Sequence, residues 1–552
     1  MECKLILQSP LVKIFPEQGP IKPEYSAFSA LRGETASFQA AYKGNNTSRE
    51  ELSLRVNSPL SPYIRVRSVE LSPSAYPCHA ETDSGYLRTA PGLFPDYLRE
   101  LTDSRVLLIA GQWRSLWVDA ELPPDCPRGL YPIEISLSDK NGDQLCAASA
   151  QITVIGAALP AQKLIHTEWF HGDCLADYYG VPALSEGWWG IAASFIKTAV
   201  KRGINMILTP AFTPPLDTAV GGERTTVQLV DVTVNDGSYV FGFGNLRRWI
   251  DLCQSMGVQY FEMAHLFTQW GAKAAPKVMA YKDGRYQRIF GWDAPAVGGE
   301  YTRFLSQYLP TLTDKLREWG VAEKTYFHIS DEPSVAHLND YVAAKNSVKA
   351  YLDGFVIIDA LSSYEFYKSG AVEKPIPSND HIQTFIDNNV PGLWTYYCTG
   401  QYLNVSNRFF ALPSARNRVI GAQMYKYKIE GFLHWGYNFY NSVNSVSHIN
   451  PFAVTDGDGA FPSGDAFLVY PDKNGAPGES IRIMVFHEAL QDLRAFELLE
   501  SLAGREFVLG LIEEGADMPV TFGEYPRGDE YVLNLREMVN REIEKRVTRA
   551  VT

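Results

Sequence analysis

The chain has 552 residues, of which 45% are apolar and 12% aromatic, and a formal net charge of -13. At ~150 residues per domain that length supplies two to four packed cores. An acidic balance with no basic stretch gives no footprint for nucleic acid or anionic lipid, and no apolar run reaches the ~20 residues of a bilayer span. Neither nucleic acid nor membrane is therefore expected as a partner, and no pattern supports an oligomer.

The opening segment, Met1-Glu-Cys-Lys-Leu-Ile-Leu-Gln-Ser-Pro10, reads as a first strand rather than a signal peptide, so a cytoplasmic protein is expected unless a leader was removed. The cysteines Cys3, Cys78, Cys126, Cys146, Cys174, Cys253 and Cys398 are scattered, odd in number and without a C-x-x-C pair. That spacing points to reduced thiols rather than a disulfide framework or zinc knuckle.

Residues 1–157 alternate with a period of two between turn clusters. Leu116, Val118, Ala120 and Leu122 share one face against Asp119 and Glu121, and Ile133, Ile135 and Leu137 repeat the device. Pro123-Pro-Asp-Cys-Pro-Arg-Gly129 makes a stiff bend between them. The expectation is an antiparallel β-sandwich.

After Pro160 short apolar strands alternate with helical segments, the grammar of a parallel sheet wrapped by helices. Eight strands are predicted: Leu164 to Phe170, Ile204 to Thr209, Tyr260 to Phe267, Thr325 to Ser330, Phe355 to Ala360, a weak one near Ile376, Leu393 to Tyr397, and Phe432 to Tyr437. Helices over Trp188 to Arg202 and Tyr301 to Trp319 carry apolar stripes. Beyond residue 480 the pattern is helical and ends with Val532, Leu535, Val539 and Ile543 at helical spacing. The predicted architecture is multidomain β plus α/β. It comprises a β-sandwich over 1–157, a (β/α)8 TIM barrel over 158–480, and a helical segment over 481–552 packed on the barrel. A doubly wound sheet is the runner-up, but Gly242-Phe-Gly244 lacks the third glycine of a dinucleotide fingerprint.

The chemistry concentrates in Lys324-Thr-Tyr-Phe-His-Ile-Ser-Asp-Glu-Pro333. This apolar strand ends in two carboxylates, and the proline cannot donate to a sheet ladder. Asp331 and Glu332 thus belong at the C-terminal end of barrel strand four, where barrel active sites are built. One carboxyl can protonate a glycosidic oxygen while the other stays ionised, since a like charge raises one of the two pKa values. The competing use of such a pair is to cap the next helix.

Aromatic residues gather at three other strand ends, in Leu393-Trp-Thr-Tyr-Tyr-Cys-Thr-Gly400, in Gly431-Phe-Leu-His-Trp-Gly-Tyr-Asn-Phe-Tyr440, and in Tyr260-Phe-Glu-Met-Ala-His265 with Trp270 beyond. Flat apolar walls with polar tips suit sugar faces. Trp394, Tyr396, Tyr397, Trp435, Tyr437, His265 and Trp270, with Glu168 on strand one, are the candidate substrate contacts. His166, His265, His328 and His434 are set far apart on separate strands and show no H-x-x-x-H spacing, so no metal site is expected.

Three segments, Phe327-His-Ile-Ser-Asp-Glu-Pro333, Leu393-Trp-Thr-Tyr396 and Gly431-Phe-Leu-His-Trp435, make residues 1 to about 500 resemble glycoside hydrolase family 123 and the related bacterial domain-of-unknown-function family 4091. The resemblance implies a sandwich, a barrel, and β-N-acetylgalactosaminidase activity on an oligosaccharide or glycoconjugate by substrate-assisted catalysis, without a metal or an organic cofactor. By the same resemblance Asp331 holds the 2-acetamido group, whose oxygen attacks the anomeric carbon to give an oxazoline. Glu332 is then the acid and base, Tyr396 or Tyr397 bonds the acetamido oxygen, and Trp394 and Trp435 enclose the methyl and ring. The sequence departs from that pattern at Met484, where an aromatic is usual, and at Val485, where an acid is usual.

Two other readings remain. A retaining glycosidase with its own nucleophile needs a second carboxylate about 5 Å away, usually from strand seven, and Leu393 to Gly400 holds none. A non-catalytic carbohydrate-binding barrel would use the acids only as helix caps.

Overall fold

The computed structural model describes residues 2–20, 22–45 and 47–549. Met1 and residues 550–552, at the ends of the first strand-like run and of the C-terminal segment, lie outside the described residues.

Period-two alternation becomes two five-stranded sheets. One runs in the order Cys3–Gln8, Thr35–Gly44, Arg114–Glu121, Ile64–Ser74, Gly92–Glu100, and the other Ala27–Arg32, Gln144–Ala158, Gly129–Ser138, Glu50–Asn57, Arg105–Leu108. Phe38, Leu116 and Val118 from the first meet Ile133, Ile135 and Ile152 from the second in one buried cluster. The pairing is not wholly antiparallel, because residues 151–154 run parallel to 27–30. Nor does the opposite face of Arg114–Glu121 meet water. Trp117 and Asp119 are both fully buried, with the indole N–H donating to Asp119 at 2.6 Å and Arg67 ion-paired to the same carboxylate.

The eight predicted α/β strands all occur, as Ile165–Glu168, Met206–Thr209, Tyr260–Met263, Thr325–Phe327, Val356–Ala360, Lys374–Ile376, Trp394–Tyr396 and Gly431–His434. They form one parallel sheet in the order six-five-four-three-two-one-eight-seven. Backbone bonds from Tyr396 N to Pro377 O at 3.3 Å and from Asn379 N to Tyr396 O at 2.8 Å join strands six and seven, so the sheet curls into a barrel. The helices Glu186–Lys201, Gly244–Met256 and Gly299–Glu318 cover it, burying Trp188, Phe195, Trp249, Phe304 and Tyr308.

The helix Ile481–Ala503 begins at Ser480, whose hydroxyl accepts the Ile483 N–H. Met484 and Val485 are fully buried in the main core, so the two departures from the family pattern are packing positions. The last helix, Asp529–Arg549, buries Val532, Leu535, Val539 and Ile543. It does not rest on the barrel side alone: Glu537 accepts from Ser29 N at 2.8 Å and Asn540 donates to Ser29 O at 3.2 Å. A helix with buried polar side chains can bridge two layers where a purely apolar stripe would serve one.

Candidate active site

Strand four continues past Phe327 by lending the carbonyls of His328 and Ile329 to the N–H groups of Leu266 (3.2 Å) and Phe267 (3.1 Å) on the extension of strand three. Ser330 then donates to Thr268 O at 2.8 Å, and the Asp331 carbonyl accepts the Trp270 N–H at 2.9 Å. At Glu332 the chain takes a φ of +42°, a strained conformation for a residue with a β-carbon, held by its N–H bond to Ala360 O at 3.1 Å. In a regular strand neighbouring side chains point to opposite faces. The left-handed turn cancels that alternation, and both carboxyls line one cavity of about 720 Å³ at the barrel mouth, partly open to solvent. Neither acid caps a helix: the next helical turn, Val335–His337, has Ser334 at its N-cap and no side-chain cap bond.

Trp169, Leu216, Tyr396, Leu433, Trp435 and Phe461 supply most of the apolar wall, while His171, Asp217, Gln269 and Thr399 supply polar atoms. Asp217 and Trp270, like Glu332, are non-glycine residues with positive φ, +39° and +57°. Three strained residues on one cavity wall fit the tendency of backbone strain to collect at functional sites.

The electrostatics favour protonated carboxyls. Burial and then the neighbouring Glu332 charge push Asp331 well above the usual carboxylate range, with His328 opposing. Burial also raises Glu332, against the hydrogen bond it accepts from Tyr396 at 2.6 Å and with the Asp380 charge adding to the rise. Asp217 is pushed up to about 6, chiefly by burial.

Beneath the pair lies a fully buried cation. His328 bonds Glu262 through Nε2 at 2.6 Å and Asp359 through Nδ1 at 3.2 Å. Burial would lower its pKa, but those two carboxylates outweigh that and lift it to about 9. Glu262 in turn accepts the Trp169 N–H at 2.7 Å, which ties the charge cluster to a cavity wall.

The family assignment follows from the chain's match to the description "Glycoside hydrolase 123, catalytic domain" over residues 169–499, a span containing strands two to eight and both acids. The chain belongs to glycoside hydrolase family 123. Across the whole fold this glycoside hydrolase superposes on a family 123 enzyme from Clostridium perfringens, described for the details of glycolipid glycan hydrolysis. The TM-score is 0.74 at 14% identity, covering 99% of this chain and 98% of that one. A Parabacteroides merdae β-glucuronidase is a distant likeness, with TM-score 0.31, 10% identity, and 82% and 49% of the two chains covered. No curated protein sequence matches the chain.

Of the candidate contacts read from the sequence, the family 123 fold places Tyr396, Trp435 and Trp270 on the cavity with Asp331 and Glu332. The other five lie elsewhere. Trp394 shares the inward face with Tyr396 but sits two residues lower, fully buried against Tyr326 in the barrel interior. Tyr397, of opposite parity, faces the helix layer, where its hydroxyl donates to Asn417 at 2.9 Å. Tyr437 likewise turns outward and donates to Phe195 O at 2.8 Å. Glu168 is held behind the wall by Arg408 at 2.8 Å. His265 is fully buried and stacked on His328 at 4.2 Å.

That stacking corrects the expectation that the strand histidines lie far apart, because strands three and four are neighbours in the sheet. His265, His328 and Asp359 bring ligand-type atoms within 4.8 Å of one another. Both nitrogens of His328 are, however, already committed to carboxylates, so an ion there would have to break the pair that charges it.

The sequence reading missed Trp169, His171, Asp217, Gln269, Cys398, Thr399 and Phe461. Trp169 and His171 follow strand one directly, and their position at a strand end was a usable signal. His171 is driven down to about 3 by burial and then by Arg224. It is therefore neutral, and its Nε2–H donates to Trp435 O at 2.8 Å. Asp465, also unforeseen, accepts the Trp435 indole N–H at 2.9 Å and fixes that ring.

Proposed function

We propose that the protein is a retaining exo-glycosidase that removes terminal β-linked N-acetylgalactosamine, the substrate's own acetamido oxygen acting as nucleophile. The observation that carries this reading is the left-handed turn at Glu332, which aims two adjacent carboxyls at one sugar-sized cavity. Asp331 accepts the acetamido N–H. That bond favours its charged form, so the proton of the pair resides on Glu332. The acetamido carbonyl oxygen attacks the anomeric carbon as the C1–O bond breaks, and Glu332 delivers its proton to the departing oxygen. The resulting oxazoline is opened by water, whose proton returns to Glu332, and the β-configuration is retained.

Tyr396 holds Glu332 in place, while Trp169, Trp270 and Trp435 enclose the sugar. These steps use protein and substrate groups and one water molecule. Residues 158–480 form the catalytic unit in this reading, with 1–157 as its support and 481–552 as the brace between them.

Asp217 favours a second reading, since it adds a third carboxyl to the cavity lining and can be imagined as a protein nucleophile. One panel of aryl β-glycosides separates the two. Substrate assistance requires that N-acetylgalactosaminide be hydrolysed and the matching galactoside be nearly inert. Rapid turnover of the galactoside would transfer the role to Asp217. Pairing each with its C4 epimer reads the galacto preference.

A further inference from the structure

Cys3 and Cys146 stand on the two opposed sheets of the sandwich, and strand alternation turns both inward. Cys3 shares its face of Cys3–Gln8 with Leu5 and Leu7, and Cys146 shares its face of Gln144–Ala158 with Ala148, Ala150 and Ile152. Both faces pack on the one core cluster between the sheets. There the two thiols meet in a side-chain hydrogen bond. We infer that Cys3 and Cys146 form a disulfide site, closed by exchange with a small disulfide such as oxidised glutathione, that staples one sheet of the sandwich to the other.

The two thiols are reachable and chemically unequal. Both are half-buried at the rim of the cluster, whereas Cys78, Cys126, Cys174 and Cys253 are buried. The hydrogen bond from the Cys146 thiol holds Cys3 below the ordinary thiol value, against burial and with help from the Lys43 N–H. The same contact, and then burial, push Cys146 up. Thiolate is the nucleophile in disulfide exchange, so Cys3 attacks and Cys146 resolves. The Cys3 thiolate displaces one glutathione thiolate and is left in a mixed disulfide. Cys146 then gives up its proton, attacks the Cys3 sulfur and displaces the second glutathione. Two protein thiols are oxidised, and one small disulfide is reduced to two thiols.

The staple acts on a strand with little else to hold it. Cys3–Gln8 is the outermost strand of its sheet, and its ladder partner among the described residues is Thr35–Gly44. The two cysteines lie far apart in the chain, so a bond between them removes a large share of the unfolded chain's freedom. The same separation hides the pair from any search for short cysteine spacings.

The test incubates the reduced, full-length native protein with oxidised glutathione and maps its non-reduced peptides by mass spectrometry. A cross-link joining the Cys3 peptide to the Cys146 peptide is expected, and Cys146→Ser should stop at a glutathione adduct on Cys3. Oxidised wild type should unfold about 3 °C or more above the reduced protein, a shift that Cys3→Ser and Cys146→Ser both abolish. Absence of the cross-link from native wild type, or its appearance only in denaturant, overturns the site. A cross-link that leaves the unfolding temperature unchanged overturns the stapling role. Reduced and oxidised wild type are compared without any substitution, so the test stands even where a serine variant fails to fold.

Discussion

The phenolic hydroxyl of Tyr396 donates to Glu332 Oε1 at 2.6 Å, linking the end of strand seven to the end of strand four across the barrel mouth. A donor stabilises the ionised carboxylate, so this bond lowers the Glu332 pKa against the rise that burial imposes. Tyr396→Phe removes the donor and should raise that pKa. An acid must be protonated to act, so the alkaline limb of the kcat/KM profile should move to higher pH in the variant, with an overall loss of about ten-fold. A limb that stays in place, or moves to lower pH, would assign it to another group.

The acid pair gives the most direct test. Glu332→Gln and Asp331→Asn should each lower turnover of an aryl β-N-acetylgalactosaminide by at least about two orders of magnitude, with far-UV circular dichroism unchanged. Undiminished rates in both variants would falsify the assignment of chemistry to this turn.

The barrel was readable because each of its strands is a short apolar run with helical periodicity on either side, and even the three-residue strand Lys374–Ile376 left a trace. Asp331 and Glu332 were readable for a related reason: charge at the end of an apolar strand, closed by proline, has few other places to go. The facing of the aromatics was not readable. Parity decides it, and parity depends on where each strand begins, which sequence locates only to within a few residues. Trp394, Tyr396 and Tyr397 thus went into one list, although they occupy the barrel interior, the cavity and the helix layer. Asp217 and Gln269 lie outside the strands, and nothing periodic marks them.

The separation of Trp394 from Trp435 is measurable. Trp394 is fully buried, and a Cβ on Gly431 would lie 2.0 Å from its ring, so it fills barrel interior next to strand eight. Trp394→Phe should lower stability by about 1–2 kcal/mol through the space it leaves, while KM stays within about two-fold. Trp435→Ala, which strips a cavity wall held by Asp465, should raise KM about ten-fold or more. Thermal unfolding and steady-state kinetics on the two variants would expose a reversed pattern.

Glu479 offers a test of how the layers are held together. Its carboxylate, in the segment that precedes the helix Ile481–Ala503, meets Arg65 at 2.8 Å and also pairs with Arg67 and Arg202. The first two arginines belong to the strand Ile64–Ser74 and the third follows the barrel helix Glu186–Lys201. Burial raises its pKa, but the three guanidinium groups outweigh that and hold it far below its ordinary value of 4.5. A folded-state pKa depressed in this way stabilises the fold above the unfolded value and loses that contribution as pH falls. Glu479→Gln should therefore cost about 3–5 kcal/mol near pH 7, because buried guanidinium groups lose their counter-charge. The gap in unfolding free energy between wild type and variant should hold from pH 7 down to about 5. Below about 4.5 it should narrow, because the unfolded wild-type chain takes up a proton on this carboxylate that folding must release. Denaturant titrations at several pH values read the gap directly, and a gap that widened on acidification would mean that Glu479 is not the depressed group.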